Sequence, residues 1–501
     1  MLANQLARRG VRATIIDRHS GPAQQTRAMA VQARTLEIYA SMGIVDQALA
    51  LGTRATGANM WANGRWTARI PLGDIGRSMS PFPFVLMLGQ DDNERIMGEK
   101  LRDYGMAVQW NTELTALKQH PDRVEVTLKQ PDGTMHNVRA AWVSGCDGAR
   151  SAVRELSGIT FPGAPYEHVF FVADTEATGS MKQGELNVYL WRDGFHLFFP
   201  MRGRDRWRVI GILPRSMRDR DDLAFDELIP DLRQEAGSSL VFKECSWFST
   251  YRIHHRAAER FRDRRCFLLG DAAHVHSPMG AQGMNTGLQD AYNLAWKLAL
   301  VVKGRADAAL LDTYEEERMP VAQRLLRTTD RAFQLVVSEG WLAGLFRTRI
   351  IAKVAARAMT LQRVRELAFR TISQIGIRYG NSPLSQALPG LPEGAPAVGE
   401  RFPWWQLKPS QGLDDTCFNL LVIGQPAASG QTPGFGDLVV VHEVDYQTNA
   451  DELARVGITG PAFYLLRPDG HIGLAGRHLD ADTVKRYLGR FLRKGKEEAL
   501  M

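Results

Sequence analysis

Cys266-Phe267-Leu268-Leu269-Gly270-Asp271-Ala272-Ala273-His274 is an apolar run closed by a glycine and an acid. It reads as a buried strand ending at Gly270-Asp271. Pro278-Met279-Gly280-Ala281-Gln282-Gly283-Met284-Asn285-Thr286-Gly287 follows, a glycine-rich loop entering a helix with Leu288, Ala291, Ala295 and Leu298 on one face. The order strand, Gly-Asp, proline, glycine loop, helix predicts an α/β ligand site. A carboxylate at the strand end accepts from ligand hydroxyls, and backbone N–H groups at the helix start face developing negative charge. His274 and His276 have no visible third ligand, so a metal site is not expected.

About 120 residues earlier stands Gly145-Cys146-Asp147-Gly148-Ala149-Arg150-Ser151-Ala152-Val153-Arg154, after the strand Ala140 to Ser144 and at the start of a helix. Glycines permit the tight turn. Asp147 can accept backbone N–H groups there, and Arg150 and Arg154 bring positive charge toward a diphosphate.

Near the start, Leu2, Ala3, Leu6 and Ala7 recur at helical spacing, Gly10 stops the helix, and Val11 to Ile16 reads as a buried strand closed by Asp17. This is the second half of a β-α-β dinucleotide unit, whose acid accepts from a ribose hydroxyl about 20 residues beyond a G-x-G-x-x-G turn. The first fifty residues hold no such turn. The expectation is a chain N-terminally truncated at that fingerprint, with a natural form starting about 15–20 residues upstream.

The rest of the chain divides by composition. A helix is expected over residues 27 to 50 and another over 94 to 104. Val124 to Leu128 and Val138 to Val143 flank a Pro131-Asp132-Gly133 turn. Residues 161 to 252 look β-rich, with a hairpin of Leu186 to Trp191 and Phe195 to Phe199 about Arg192-Asp193-Gly194. No proline occurs between Pro320 and Pro383, and six fall within residues 383 to 409. The domains are therefore a Rossmann-like first part at 1–160, a β-rich substrate domain at 161–252, a second Rossmann part at 253–330, a helical segment at 331–385, a Pro-rich linker at 386–410 and a β/α domain at 411–501.

The 501 residues are 44% hydrophobic and 23% charged, which excludes a disordered or fibrous chain. The net charge of +7 comes from interspersed acids and bases, as in the run Arg256 to Arg265 with Glu259 and Asp263. With no binding motif beside it, that charge points to anionic small molecules rather than nucleic acid. No apolar stretch reaches a membrane span. Four scattered cysteines without a C-x-x-C pair fit a reducing cytoplasm.

Together these motifs resemble the single-component FAD-dependent aromatic hydroxylases, group A flavoprotein monooxygenases of the phenol and 3-(3-hydroxyphenyl)propionate hydroxylase type, over nearly the whole chain. The resemblance implies FAD, with NADPH or NADH as co-substrate, and an FAD domain with an inserted β-sheet domain and a thioredoxin-like tail. The tail lacks a redox cysteine pair and would be structural, at a homodimer contact. The implied reaction is hydroxylation of a phenolic or related aromatic by O2 through a flavin C4a-hydroperoxide. The implied cofactor contacts are Asp17, Arg27, Arg34, Gln90, Asp147, Gly270, Asp271, Pro278, Gly280, Gln282, Gly283, Met284 and Asn285. Ala281 stands where many relatives have glycine, a minor change if its φ is negative. Tyr189, Trp191, Phe199 and Pro200 are the expected pocket wall, although strand alternation turns half of such residues away. No catalytic base is nameable, and His196 and Tyr251 are the titratable candidates. A flavin-dependent reductase or halogenase-like enzyme, or a cofactor-free remnant, are the alternatives.

Overall fold

The computed structural model describes residues 1–23, 28–73, 75–192, 194–220, 222–276, 281–337, 344, 348, 354, 357–403, 412–426 and 435–493. The strands that carry the two glycine motifs lie side by side. Val143–Gly145 runs parallel to Cys266–Leu268 with Gly145 opposite Leu268, and Arg262–Asp263 adds an antiparallel third strand. The Leu269 amide donates to the Gly145 carbonyl at 3.0 Å, so the turns after both strands leave from one edge. Ile15–Ile16 runs parallel to Val108–Gln109 in a separate two-stranded sheet. Both sheets share one core. Leu6, Val11, Val126, Val153, Phe267, Leu268, Leu294 and Leu298 are buried together, with Ile16 and Val143 packed against them. The Leu2–Arg8 helix lies on the long Gly283–Val302 helix.

The chain between these strands, with His274–Val275 just after the last of them, builds an eight-stranded sheet. Its order is His274–Val275, Val241–Ala257, Gly163–Thr178, Arg206–Ile212, Gly194–Pro200, Leu186–Trp191, Gly57–Ala62 and Arg65–Pro71. The sheet thus also draws two strands from the first Rossmann part, as bounded from sequence. The Phe225–Ala236 helix covers one face, burying Trp61, Phe171, Tyr189, Phe198 and Trp207 with Phe225, Leu228 and Leu232. Phe170, Phe195, Leu197, Ile212 and Tyr251 gather on the other.

This covering helix was not expected within the β-rich stretch. Pro230 argues against it in the sequence but is tolerated. The Glu227 carboxylate accepts from the Ala224 amide at 3.0 Å and stabilises the helix start.

The helix expected over 27 to 50 is also corrected. Ala30–Val31 is a strand paired with Leu86–Met87, and two helices follow, Ala33–Ser41 and Val45–Leu51. Gly43, at φ +70°, turns the chain between them.

The C-terminal sheet has the order Gln386–Ala387, Ile472–Gly476, Ala462–Leu466, Phe418–Ile423, Val439–Val444. Two parallel pairs at the edges and two antiparallel pairs between them, flanked by the Ala450–Arg455 and Ala481–Leu488 helices, give a thioredoxin-like domain. It docks on the Gly283–Val302 and Asp312–Val337 helices through fully buried ions. Glu317 accepts from Lys297 Nζ at 2.8 Å, from both terminal nitrogens of Arg467 at 2.6 and 2.8 Å, and from Ser382 at 2.6 Å.

Candidate functional site

The Gly-Asp turn is held from below. Gly270 adopts φ +56°, a conformation that favours glycine, and its amide donates to Asp290 Oδ2 at 3.0 Å. Asp290 is wholly buried and also binds His274 Nε2 at 2.8 Å and Arg318 Nε at 2.7 Å. Burial alone would raise the Asp290 pKa, but Arg318 and then His274 hold it below its ordinary range. Asp290 was absent from the sequence-derived site, although an acid amid the apolar Leu288 to Leu298 face was the available signal.

Above this support Asp271 is exposed. Asp147 is exposed as well and accepts from the Val153 amide at 3.1 Å, which fixes the Asp-Gly turn onto the following helix. Arg154, expected to face a diphosphate, is instead buried. It donates to the Ala272 carbonyl at 3.0 Å and the Ala149 carbonyl at 2.8 Å, tying one turn to the other. Arg150 remains exposed.

Asp17 follows its strand with its side chain 42% exposed, and its Oδ1 accepts from the His19 amide at 2.9 Å. Gln90 opens the Gln90–Asp103 helix. Its amide donates to the Ala28 carbonyl at 3.0 Å and its side chain to Glu94 at 2.9 Å. Arg34 is buried toward the C-terminal domain, donating to Glu37 at 3.0 Å and to the Asp469 carbonyl at 2.6 Å. Arg27, Pro278 and Gly280 lie outside the described residues.

At the start of the long helix, Asn285 joins two segments. Its Oδ1 accepts from the Gln32 amide at 2.9 Å and Thr35 Oγ1 at 2.7 Å, and its Nδ2 donates to the Ala30 carbonyl at 2.8 Å. Gln282 donates to the Thr371 carbonyl at 3.3 Å, Gly283 passes the His276 ring, and Met284 lies near Asn93. Ala281 has φ +51°, so its difference from glycine is not the minor change that a negative φ would allow.

Of the four aromatic-wall residues, Phe199 faces this segment, packing with Met29 and Ala281 about Ala30, Ala55 and Met87. Tyr189 turns to the helix-covered face, stacked on Trp61 at 5.3 Å, and Trp191 stacks on His196 at 5.8 Å. Pro200 pairs with Trp207 of that same face. His196 is engaged there too, by Glu235 at 2.6 Å. Tyr251 lies on the Phe199 face, and burial pushes its hydroxyl pKa up to about 12. A cavity of about 470 Å³ opens between this face and the Met29 and Met87 segments, lined by Met29, Met87, Asp174, Arg202, Arg206 and Trp247 among others. The Arg256 to Arg265 run is largely self-paired: Arg262 bonds Asp312, Arg260 and Arg264 flank Asp263, and Arg265 lies over Trp142.

The FAD binding domain family matches residues 1–329, which span both glycine motifs and the Asp17 strand. The chain belongs to this family. It is 32% identical to 6-methylpretetramide 4-monooxygenase of Streptomyces rimosus, over 96% of this chain and 90% of that one. It is 33% identical to pentachlorophenol 4-monooxygenase of Sphingobium chlorophenolicum, over 68% of this chain and 63% of that one. Aklavinone-11 hydroxylase, solved with FAD and aklavinone, superposes with a TM-score of 0.79 at 25% identity, covering 98% of this chain and 96% of that one. The chain is an FAD-dependent aromatic monooxygenase that uses NAD(P)H and O2.

The residues present suit that cofactor. Gly270 and Gly287 approach so closely that a side chain on Gly287 would reach 3.0 Å from the Gly270 Cα, which brings the helix start up to the exposed Asp271. Among the described residues no cluster of His, Cys, Asp or Glu could hold a metal, and no helix is long and apolar enough to cross a membrane.

Proposed function

We propose that this enzyme hydroxylates a phenolic or polyketide-type aromatic ring in the cavity between the eight-stranded sheet and the segments around Met29 and Ala281. The packing of Phe199, Met29 and Ala281 against one cluster of Ala30, Ala55 and Met87 carries this reading, because it brings the apolar sheet face to the start of the glycine-loop helix. The similarity to pentachlorophenol 4-monooxygenase supports a ring that bears a hydroxyl group.

In this reading Asp17, Asp147 and Asp271 accept from hydroxyls of FAD. Gln90 lies along it, and Gln282, Gly283, Met284 and Asn285 border its ring. Bound FAD supplies the oxygen-activating chemistry. The Phe195, Leu197 and Phe199 face excludes water from the reacting ring. The helix start at Gln282 to Asn285 presents backbone N–H groups and a partial positive charge. Four free cysteines support a reducing compartment, the cytoplasm.

The test is O2 uptake with NADPH or NADH, in the presence of FAD and a panel of simple and fused-ring phenols. The reading expects uptake stimulated by an aromatic, with a product heavier by one oxygen. Nicotinamide oxidation indifferent to every aromatic, with no oxygenated product, would contradict it.

A further inference from the structure

Four side chains stand in a row across adjacent strands of the sheet. Phe199 is opposite Arg208, Arg208 opposite Asp174, and Asp174 opposite Trp247. Directly opposed residues on antiparallel strands share a face, so all four lie on the Phe199 side. Asp174 and Trp247 line the cavity, and Phe199 reaches the Ala281 segment.

Arg208 is 1% exposed. Its Nε donates to Asp174 Oδ1 at 2.7 Å and its Nη2 to Asp174 Oδ2 at 2.6 Å, and its guanidinium lies 5.3 Å from the Trp247 ring centre. Nη1 has no hydrogen-bond partner. Asp174 takes the Nε and Nη2 edge of the planar fork, which leaves Nη1 on the other edge. A buried donor without an acceptor is costly, and a ligand oxygen relieves that cost.

We propose that Arg208, held in position by Asp174, is the donor that anchors a ring oxygen of the substrate, and that the substrate is a fused-ring phenol. This rests on the aromatic-substrate reading above. Phe199 and Trp247 stand three strands apart, about 14 Å at ordinary strand spacing, which fits a fused system lying over the ion pair rather than a single ring. The order of the row sets the substrate's direction: the oxygen sits over Arg208, with one edge of the ring system toward Phe199 and the Ala281 segment and the other toward Trp247.

Binding of 2-naphthol and of naphthalene, followed by their fluorescence with FAD supplied in excess, tests this. Wild type is expected to bind 2-naphthol about tenfold more tightly than naphthalene, the size of a hydrogen bond from a charged donor. Arg208→Gln with Asp174→Asn, which removes both charges together, should abolish that preference and leave naphthalene binding within about twofold. Arg208→Lys, which keeps the charge but not the fork, should lose most of the preference and serves if the double variant fails to fold. Phe199→Leu should weaken both compounds alike. Equal binding of the two compounds by wild type, or a preference that survives both Arg208 variants, would overturn the anchor alone. Failure of wild type to bind either compound would overturn the cavity as an aromatic site, and the anchor with it.

Discussion

Gly287 lies against Gly270: a Cβ at position 287 would stand 3.0 Å from the Gly270 Cα, and one at position 270 would stand 3.5 Å from the Gly287 Cα. The first turn of the long helix and the Gly-Asp turn therefore meet backbone to backbone. Neither glycine is read only as a flexible link.

Gly287→Ala should push the helix start away from Asp271. The expected cost is about 1–3 kcal/mol, the usual penalty for overpacking, together with weaker FAD binding. Thermal unfolding with and without FAD checks this. A variant with unchanged midpoint and unchanged FAD affinity would show that the contact does not matter.

Asn285 joins the helix start to the Ala30 to Thr35 segment by hydrogen bonds on both its oxygen and its nitrogen. Asn285→Ala leaves the Gln32 amide and the Ala30 carbonyl without these partners, for a loss of about 2 kcal/mol or more. Asn285→Asp should fare little better, since the Ala30 carbonyl then faces an acceptor. Urea unfolding of the three proteins gives the comparison.

Ala281 carries a left-handed backbone, where a Cβ costs about 1–2 kcal/mol. Ala281→Gly removes that strain but gains about 0.4–1 kcal/mol of unfolded-state entropy to overcome. A net stabilisation of up to about 1.6 kcal/mol is expected, read as a rise in thermal midpoint. Ala281→Val, with a β-branched side chain at the same φ, should lower it.

The docking of the C-terminal domain should depend on acid. Burial would raise the Glu317 pKa, but Arg467 and then Lys297 outweigh it and bring it from an ordinary 4.5 to about 2. A folded-state pKa below the unfolded one stabilises the protein fully above pH 4.5, and that contribution is lost as pH falls from 4.5 through 2. Glu317→Gln should flatten the stability profile over this interval. At neutral pH it should cost about 3–5 kcal/mol, because Arg467 keeps its charge in a dry interior without this partner. Denaturant midpoints measured from pH 2 to 7 report both effects.

The strands of the two glycine motifs were legible because apolar runs ending in Gly-Asp or Asp-Gly have few other uses. The hairpin at Leu186 and the thioredoxin-like strands Phe418–Ile423 and Ala462–Leu466 were legible from alternation and turn residues. The facing of the hairpin was not. Tyr189 and Phe199 are both aromatic, and only the helix Phe225–Ala236, itself obscured by Pro230, decides which face is dry. The support beneath the site was hidden for a different reason. Asp290, Arg318 and Glu317 are charged residues on helices, which normally face water, and only tertiary packing turns them inward.

The central claim is that the turns after two adjacent strands, with the helix that follows the second, hold one FAD. Titration of the 501-residue chain with FAD, followed by flavin fluorescence and visible absorbance, tests it most directly. Saturation at one equivalent is expected, with affinity falling about tenfold or more in both Asp271→Ala and Asp147→Ala, each of which removes a hydrogen-bonded charge. Absence of saturable binding, or binding untouched by either substitution, would contradict it.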